Sequence, residues 1–362
     1  MSADRRGDRQ AALRRRLAEA GLDALLVTHL PNVRYLTGFT GSAGMVLIDS
    51  ARAVLLTDPR YAAQAPAEAG ATAEVEIEPV NLWDRLQQVL VARRPAALGF
   101  ERDHLTVRSA ERLAAAGLPR TEPVSGVVEA LRQAKDPEEV DAIRAAATLA
   151  LEALEVVLPT VRVGESERSV AGRLEAELRR RGSEWHPFQT IVASGPRSAL
   201  PHARTSGRAI GPGELLLLDF GAIVDGYCAD LTRTVVVGSS PDELQQERYL
   251  AVQSAQQAGL AGLRPGISGR EADAAARASL EQAGLGAAFR HSLGHGIGLE
   301  IHEDPRLAPT AEGLLPTGAV VTVEPGVYFE GWGGIRLEDD VLLTAHGPAL
   351  LSPGAPAMRA VP

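Results

Sequence analysis

Two stretches of this chain, 105 residues apart, repeat one pattern: an apolar strand that runs into a carboxylate. Gly213 leads through the apolar residues 215–218 into Asp219-Phe220-Gly221, and Gly318 leads through residues 320–323 into Glu324-Pro325-Gly326. The acid falls six positions after the glycine in both copies. A turn and a second strand-like segment follow each, ending in another acid, Asp230 eleven residues on and Glu338 fourteen residues on. A carboxylate at the end of an apolar strand is costly to bury unless it is paired, hydrogen-bonded or bound to a metal. One such acid reads as a turn residue capping a backbone N–H. Four in a repeated unit predict carboxylates gathered around a pseudo-two-fold axis.

The rest of the chain supplies a scaffold for that unit. Its 362 residues exceed one compact domain of about 150 and predict two. Residues 13–20 have helical spacing and stop at Gly21. Short apolar runs at 24–27, 45–48 and 53–56 then alternate with Ala-rich helical segments at 60–69 and 82–93, which reads as an α/β domain. Residues 117–126 have the Gly, Pro, Ser and Thr content of a linker, and the expected domains are 1–128 and 129–362. In the second domain Asp136-Pro137-Glu138-Glu139 is a helix start with a capping box, predicting a long helix from 137 towards 158. Further helices are expected at 165–181, closed by Gly182, and at 243–263. From 211 onwards the remainder reads mostly as strands and turns, an α+β domain with helices covering one side of a curved sheet.

Composition removes several classes of function. With 37 basic against 46 acidic residues and a net charge of -9, the chain lacks the basic footprint that phosphate-backbone binding requires, so no nucleic acid is expected. Cys228 is the single cysteine, which excludes an internal disulfide framework and a thiolate zinc ribbon and fits a reducing compartment. Lys135 is the single lysine, so no G-x-x-x-x-G-K-[ST] phosphate loop exists, and a Schiff-base lysine would have to be that residue. Residues 1–19 are charged throughout, and apolar runs such as 215–218 are far shorter than the roughly 20 residues that span a bilayer. A cytoplasmic protein with no membrane partner is expected.

A histidine-rich segment supplies a neutral donor for the acids. His291, His295 and His302 fall within twelve residues, among glycines that let the backbone approach a buried site, and residues 299–302 alternate as a strand would. His302-Glu303 does not begin H-E-x-x-H, because Arg306 stands where the second histidine belongs. Four carboxylates with one imidazole form a hard, oxygen-rich donor set that favours manganese. Two divalent ions would balance the four negative charges, which predicts a dinuclear site bridged by water or hydroxide, with ions about 3.5 to 4 Å apart.

At these residues the sequence resembles the pita-bread metallopeptidases, in particular the proline-directed branch that contains prolidase (Xaa-Pro dipeptidase) and aminopeptidase P. The resemblance rests on Leu217-Leu218-Asp219-Phe220-Gly221, on Asp225-Gly226-Tyr227-Cys228-Ala229-Asp230-Leu231-Thr232-Arg233-Thr234, and on the segment from His295 to Glu303. Glu324-Pro325-Gly326 and Gly334-Ile335-Arg336-Leu337-Glu338-Asp339 complete it. Asn32-Val33-Arg34-Tyr35-Leu36-Thr37-Gly38-Phe39 and Thr57-Asp58-Pro59-Arg60-Tyr61 are similar to the creatinase-type domain that precedes the catalytic domain in this branch. The resemblance implies an α/β creatinase-like N-terminal domain and an α+β pita-bread catalytic domain. It implies that Asp219 and Asp230 hold one metal, that Asp230, His295 and Glu324 hold the other, and that Glu338 bridges them with Asp230. The ions would be manganese, with cobalt or zinc as alternatives, and the bridging hydroxide would attack the scissile carbonyl.

By the same resemblance Glu324 is also the proton acceptor, and His202 and His302 hold substrate and assist the leaving proline nitrogen. His291 lines the proline pocket. Arg336, two residues before Glu338 and on the same sheet face, orients carboxylates in the site. Arg306 resembles a prolidase arginine that binds the free carboxylate of a dipeptide. Outside the resemblance His202 reads as a surface turn, Cys228 as a buried small hydrophobe, and Trp185 and Phe188 as either site wall or core. The expected partners are a proline-containing dipeptide or short peptide and a second copy of the chain in a homodimer. Dipeptidase is favoured over aminopeptidase P. A creatinase-like amidinohydrolase and a non-catalytic binding protein are the remaining readings, and the presence of all five ligands argues against both.

Overall fold

A computed structural model describes residues 5–352 and 357–362; residues 1–4 of the expected first domain and 353–356 of the second lie outside the described residues. By internal contacts the chain forms two compact units, Met1–Arg132 and Gln133–Pro362.

The first unit is built on a six-stranded mixed sheet. Its strands are β1 (Ala24–Val27), β2 (Gly44–Asp49), β3 (Ala53–Thr57), β4 (Glu74–Ile77), β5 (Ala97–Glu101) and β6 (Arg120–Val124), in the order β4-β3-β2-β1-β5-β6. The β1–β2 and β2–β3 pairs are antiparallel and the others parallel. Helices α1 (Arg6–Glu19), α2 (Leu30–Thr37), α3 (Gln64–Ala69), α4 (Leu82–Arg93), α5 (Val107–Ala114) and α6 (Glu129–Arg132) accompany it. Strands β1 and β3 are buried at every position, which is why they read as unbroken apolar runs. Three expectations change here. The segment expected as a linker at 117–126 contains β6, an edge strand where Pro123 can sit because edges tolerate a missing N–H. The helix expected over 60–69 is a 3₁₀ turn, Pro59–Tyr61, capped by Asp58, and only then α3. Helix α1 starts at Arg6, well before the expected 13.

In the second unit the helices are α7 (Pro137–Val157), α8 (Glu167–Arg181), α9 (Glu243–Gly262) and α10 (Gly269–Gln282). The strands that follow α8 are β7 (Ile191–Ser194), β8 (Leu215–Phe220), β9 (Ile223–Val224), β10 (Tyr227–Cys228) and β11 (Leu231–Val237). Those after α10 are β12 (Gly294–Gly296), β13 (Glu303–Leu307), β14 (Val320–Val323), β15 (Gly326–Phe329), β16 (Gly333–Arg336), β17 (Asp339–Thr344), β18 (Gly347–Leu350) and β19 (Arg359–Val361). Both halves of the capping box that opens α7 form between Asp136 and Glu139. Helix α10 was not expected from the sequence, although Ser268 and Glu271 form the same device at its start.

The sequence repeat is visible as architecture. In each copy two helices are followed by an antiparallel strand pair with a two-stranded hairpin between its members: β8 with β11 around β9/β10, and β14 with β17 around β15/β16. Helices α7 and α8 pack Ala150, Leu154 and Leu174 on Leu216, Leu218 and Phe220 of the sheet β19-β11-β8-β7. Helices α9 and α10 pack Val252, Ala255, Ala272 and Ala276 among Val321, Val323 and Val341 of the sheet β13-β12-β14-β17-β18. The expected curved sheet is thus two sheets, joined by a bridge between Thr232 and Glu338. Among the described residues no helix is long and apolar enough to cross a membrane.

Candidate metal centre

The bridge between the two copies is where the acids collect. Asp219 is the penultimate residue of β8, Asp230 precedes β11, Glu324 follows β14, and Glu338 lies between β16 and β17. His295 sits in β12 between two glycines that the packing requires. A Cβ on Gly294 would meet the Thr322 carbonyl oxygen at 2.0 Å, and one on Gly296 the Asp304 carbonyl oxygen at 2.5 Å. Ligand atoms of Asp230, His295 and Glu338 all lie within 4.8 Å of one another. His295 Nε2 is 3.7 Å from Asp230 Oδ2 and 3.6 Å from Glu324 Oε1.

Electrostatics show how costly this cluster is by itself. Burial, and then the negative charge of Glu338, Asp219 and Glu324, raises the Asp230 carboxyl well above its ordinary value. Burial and Glu338 do the same to Glu324, and burial and Asp219 push Glu338 up to about 8. Asp219 is raised by burial despite the Arg336 guanidinium beside it. Asp219 Oδ1 and Asp230 Oδ1 are buried without a hydrogen-bond partner. Buried acceptors in that state are rare in folded proteins. An oxygen-rich set of four acids and one imidazole, with two oxygens unused, fits divalent cations.

Neighbouring groups orient these side chains. His295 Nδ1 lies 3.0 Å from the Gly296 carbonyl oxygen, to which it donates as N–H, leaving the Nε2 lone pair aimed at Asp230 and Glu324. Burial pushes the His295 pKa down to about 4, keeping the ring neutral. Arg336 Nη2 donates to Asp219 Oδ2, its Nε donates to Thr232 Oγ1 at 3.0 Å, and Thr232 Oγ1 donates to Glu338 Oε2 at 2.6 Å. The Asp230 N–H donates to Asp340 Oδ2 at 3.2 Å. Thr322 takes the His295 N–H at 3.1 Å and gives its hydroxyl proton towards Glu324 Oε1 at 3.4 Å.

Around this centre stand the other residues singled out in the sequence. His291 Nδ1 is 3.9 Å from Glu324 Oε2, and its Nε2 is 2.8 Å from the Tyr328 hydroxyl, which also accepts from Arg336 Nη1 at 2.9 Å. Arginine only donates, so the Tyr328 proton points to His291, whose Nδ1–H then donates to the Ser292 carbonyl oxygen at 2.8 Å. The His302 ring meets the His295 ring edge-on, centroids 4.4 Å apart. Burial, then the neighbouring His202, lowers the His302 pKa. His202 is exposed, on the loop whose Pro201 carbonyl oxygen accepts from Arg336 Nη1 at 3.2 Å. Arg306 is exposed on β13, close enough to lower the pKa of both His295 and His302. Trp185 is exposed beside His186 and Arg179. Cys228 is buried, and burial raises its thiol pKa above the nucleophilic range. The single lysine, Lys135, is buried in an ion pair with Glu303 at 2.6 Å.

Thr232, Tyr328 and Asp340 were not singled out from the sequence. Thr232 had a signal, since it stands two residues beyond Asp230 and strand alternation puts both on one face. Tyr328 and Asp340 had none, because their partners come from distant parts of the chain.

Known proteins resemble this chain throughout. The model of Metallopeptidase family M24 matches residues 141–345, and that of the Creatinase/Prolidase N-terminal domain matches residues 9–134. The uncharacterized peptidase YqhT of Bacillus subtilis (strain 168) is 41% identical over 336 residues, 92% of this chain and 95% of that one. The solved structure of an Xaa-Pro dipeptidase from Bacillus anthracis matches with a TM-score of 0.95 at 40% identity, covering 98% of this chain and 99% of its own. That of an X-Pro aminopeptidase from Thermotoga maritima MSB8 matches with a TM-score of 0.90 at 34% identity, covering 97% and 99%.

Proposed function

Because the chain belongs to metallopeptidase family M24, with a creatinase-like N-terminal domain and a pita-bread catalytic domain, we propose that it hydrolyses the peptide bond before proline in Xaa-Pro dipeptides. The observation that carries this reading is the convergence of Asp219, Asp230, His295, Glu324 and Glu338 on one buried centre with unsatisfied carboxylate oxygens. A creatinase-like enzyme working without metals would not retain that set.

In the proposal Asp219 and Asp230 would hold one divalent ion, Asp230, His295 and Glu324 would hold the second, and Glu338 would serve both. Manganese suits the oxygen-rich donors, with cobalt or zinc as alternatives. The ions would neutralise the acids, bring the pKa of a water towards about 7 and polarise the scissile carbonyl. Glu324 accepts the proton of the attacking water at a carboxylate oxygen. Arg336 favours the ionised form of Asp219 against burial and fixes it through a charge-assisted bond, and the Thr232 hydroxyl fixes Glu338. His302 and His202, at the rim, contact the substrate backbone and deliver a proton to the leaving proline nitrogen. His291 has both ring nitrogens committed, so it offers the substrate its ring face as a wall for proline. Arg306 meets the free carboxylate of the dipeptide. A cytoplasmic homodimer is part of the same proposal, the compartment resting on the lone buried Cys228 and the dimer on the family resemblance.

The T. maritima structure favours a second reading, an Xaa-Pro aminopeptidase that leaves the carboxylate side open to longer peptides. Hydrolysis of Ala-Pro and of Ala-Pro-Ala by manganese-loaded protein, beside a chelated control, separates them. Cleavage of the dipeptide alone is expected; cleavage of the tripeptide makes the enzyme an aminopeptidase, and no metal-dependent cleavage of either overturns the proposal. Arg306→Ala should lower kcat/KM for Ala-Pro about tenfold, the size of one charge-assisted hydrogen bond, and spare any tripeptide activity. Equal losses on both substrates would take Arg306 out of carboxylate recognition.

A further inference from the structure

Residues 289–293 run from the 3₁₀ turn Gly286–Ala288 to β12 without joining any strand, yet they carry His291 and lead into His295. Backbone groups in such a segment need partners from elsewhere. One ion pair on α10 supplies them. Asp273 and Arg277, four residues apart on one helix face, are joined by Arg277 Nε donating to Asp273 Oδ2 at 2.9 Å and Nη2 to Oδ1 at 3.0 Å. Asp273 is 1% exposed, and its Oδ1 also accepts the Leu293 N–H at 2.9 Å. Arg277 Nη1 donates to the Phe289 carbonyl oxygen at 3.2 Å and Nη2 to that of His291 at 2.9 Å.

The grip extends into the side chains. The Arg277 guanidinium lies over the Phe289 ring, 4.3 Å from its centroid. Phe289 in turn meets His291 edge-on, centroids 5.1 Å apart and planes at 84°. His291 is closed on its far side by the Tyr328 hydroxyl. Phe289, His291 and Tyr328 therefore form one aromatic row whose outer end is anchored by Arg277. The Leu293 carbonyl oxygen, next to the N–H that Asp273 holds, accepts the Glu324 N–H at 2.8 Å.

We propose that Asp273 and Arg277 are positioning residues that set selectivity for proline, by fixing the depth of the wall that His291 presents to the residue after the scissile bond. The inference rests on the Xaa-Pro reading of the site. A rigid wall discriminates because a single-methylene misfit in an apolar pocket changes kcat/KM by roughly 10 to 200-fold. A lysine at 277 keeps a cation for Asp273 but loses the planar fork that reaches two carbonyl oxygens and a carboxylate together. The row then loses its anchor while the metal ligands keep theirs.

The test compares Ala-Pro with Ala-Ala on the full chain loaded with manganese. Arg277→Lys should raise KM for Ala-Pro about tenfold, as expected for the loss of about one charge-assisted hydrogen bond, with kcat changed by less than about threefold. The ratio of kcat/KM for Ala-Pro to that for Ala-Ala should fall about tenfold, with the metal content per chain unchanged. Asp273→Asn keeps an acceptor for Leu293 and removes the charge that orients Arg277. It should shift the ratio in the same direction by a smaller factor, and it decides the matter if Arg277→Lys does not fold. Selectivity equal to that of the unmodified chain, or equal losses on both substrates, overturns the proposal and leaves the pair a purely structural role. If the unmodified chain does not prefer Ala-Pro, the Xaa-Pro reading itself falls, an outcome that needs no variant to detect.

Discussion

Glu338 belongs to both halves of the catalytic unit: its N–H donates to the Thr232 carbonyl oxygen at 3.2 Å, and its Oε2 takes the Thr232 hydroxyl at 2.6 Å. If it is shared by two ions, Glu338→Ala should abolish binding at both sites together, read as metal content per chain by plasma mass spectrometry. A variant that still carries two ions per chain refutes that placement. The residues of the centre were legible to unequal degrees, for a physical reason. The four acids announce themselves because an apolar run ending in a carboxylate is costly, and the cost recurs at a fixed interval. Tyr328 and Asp340 announce nothing and Thr232 only its strand face, since a buried hydroxyl or carboxylate is informative only once its partner is known. For Thr232 that partner, Glu338, lies 106 residues away in the chain.

Helix α8 illustrates how an element is tied to the sheet that carries the site. Its Glu167 is fully buried and accepts from the Ser194 N–H at 2.8 Å, the Ser206 N–H at 3.0 Å, both serine hydroxyls and Arg197 Nε. It thereby holds the end of β7 and the loop leading on from His202. Burial acts to raise its pKa, but the bonds from Ser206 and Ser194 and the charge of Arg197 outweigh it and leave the value lowered. A depressed pKa means the ionised form stabilises the fold. That contribution is complete above the unfolded value near 4.5 and is lost as pH falls through the lower folded value. Glu167→Gln should therefore cost about 1 to 3 kcal/mol at pH 7, the price of weakening a charged, buried acceptor. The gap to the unmodified chain should narrow as pH falls below 4.5 and close once it passes the lower folded value. Urea melts at several pH values check it, and a gap independent of pH sinks the argument. Legibility at this scale followed local signals. The capping box at Asp136 marked α7 correctly, whereas the equal one at Ser268 passed unread among the Gly- and Ala-rich residues around it. Strand β6 was read as a linker because Pro123 looks like a breaker unless the strand is known to lie at an edge.

At the scale of the whole molecule, the repeat organises the second unit more deeply than its acids alone suggested. Each copy supplies two helices, a strand pair and two carboxylates, and the copies meet where those carboxylates face one another. The strand, acid and hairpin order was readable from sequence spacing; the helix pairs were not, since α7 and α8 share with α9 and α10 only an Ala-rich face. Placing four acids at the junction sets mutual repulsion against the packing of two helix-backed sheets, and among the described residues the guanidinium bonded to one of their carboxylates is that of Arg336, through Asp219. Divalent ions should therefore act as a structural clasp as well as a catalytic element. A ligand that binds only the folded state adds about 2.7 kcal/mol at a free concentration of 100 times its Kd. For a unit of this size that corresponds to a rise in Tm of roughly 5 to 10 °C. Calorimetry of chelated protein titrated with manganese should show Tm climbing with ion concentration, and Glu338→Ala should be nearly insensitive to the same titration. An unmodified chain that melts at one temperature whether chelated or loaded would mean that the packing of the two sheets alone absorbs the repulsion. The clasp would then have no part in holding the copies together.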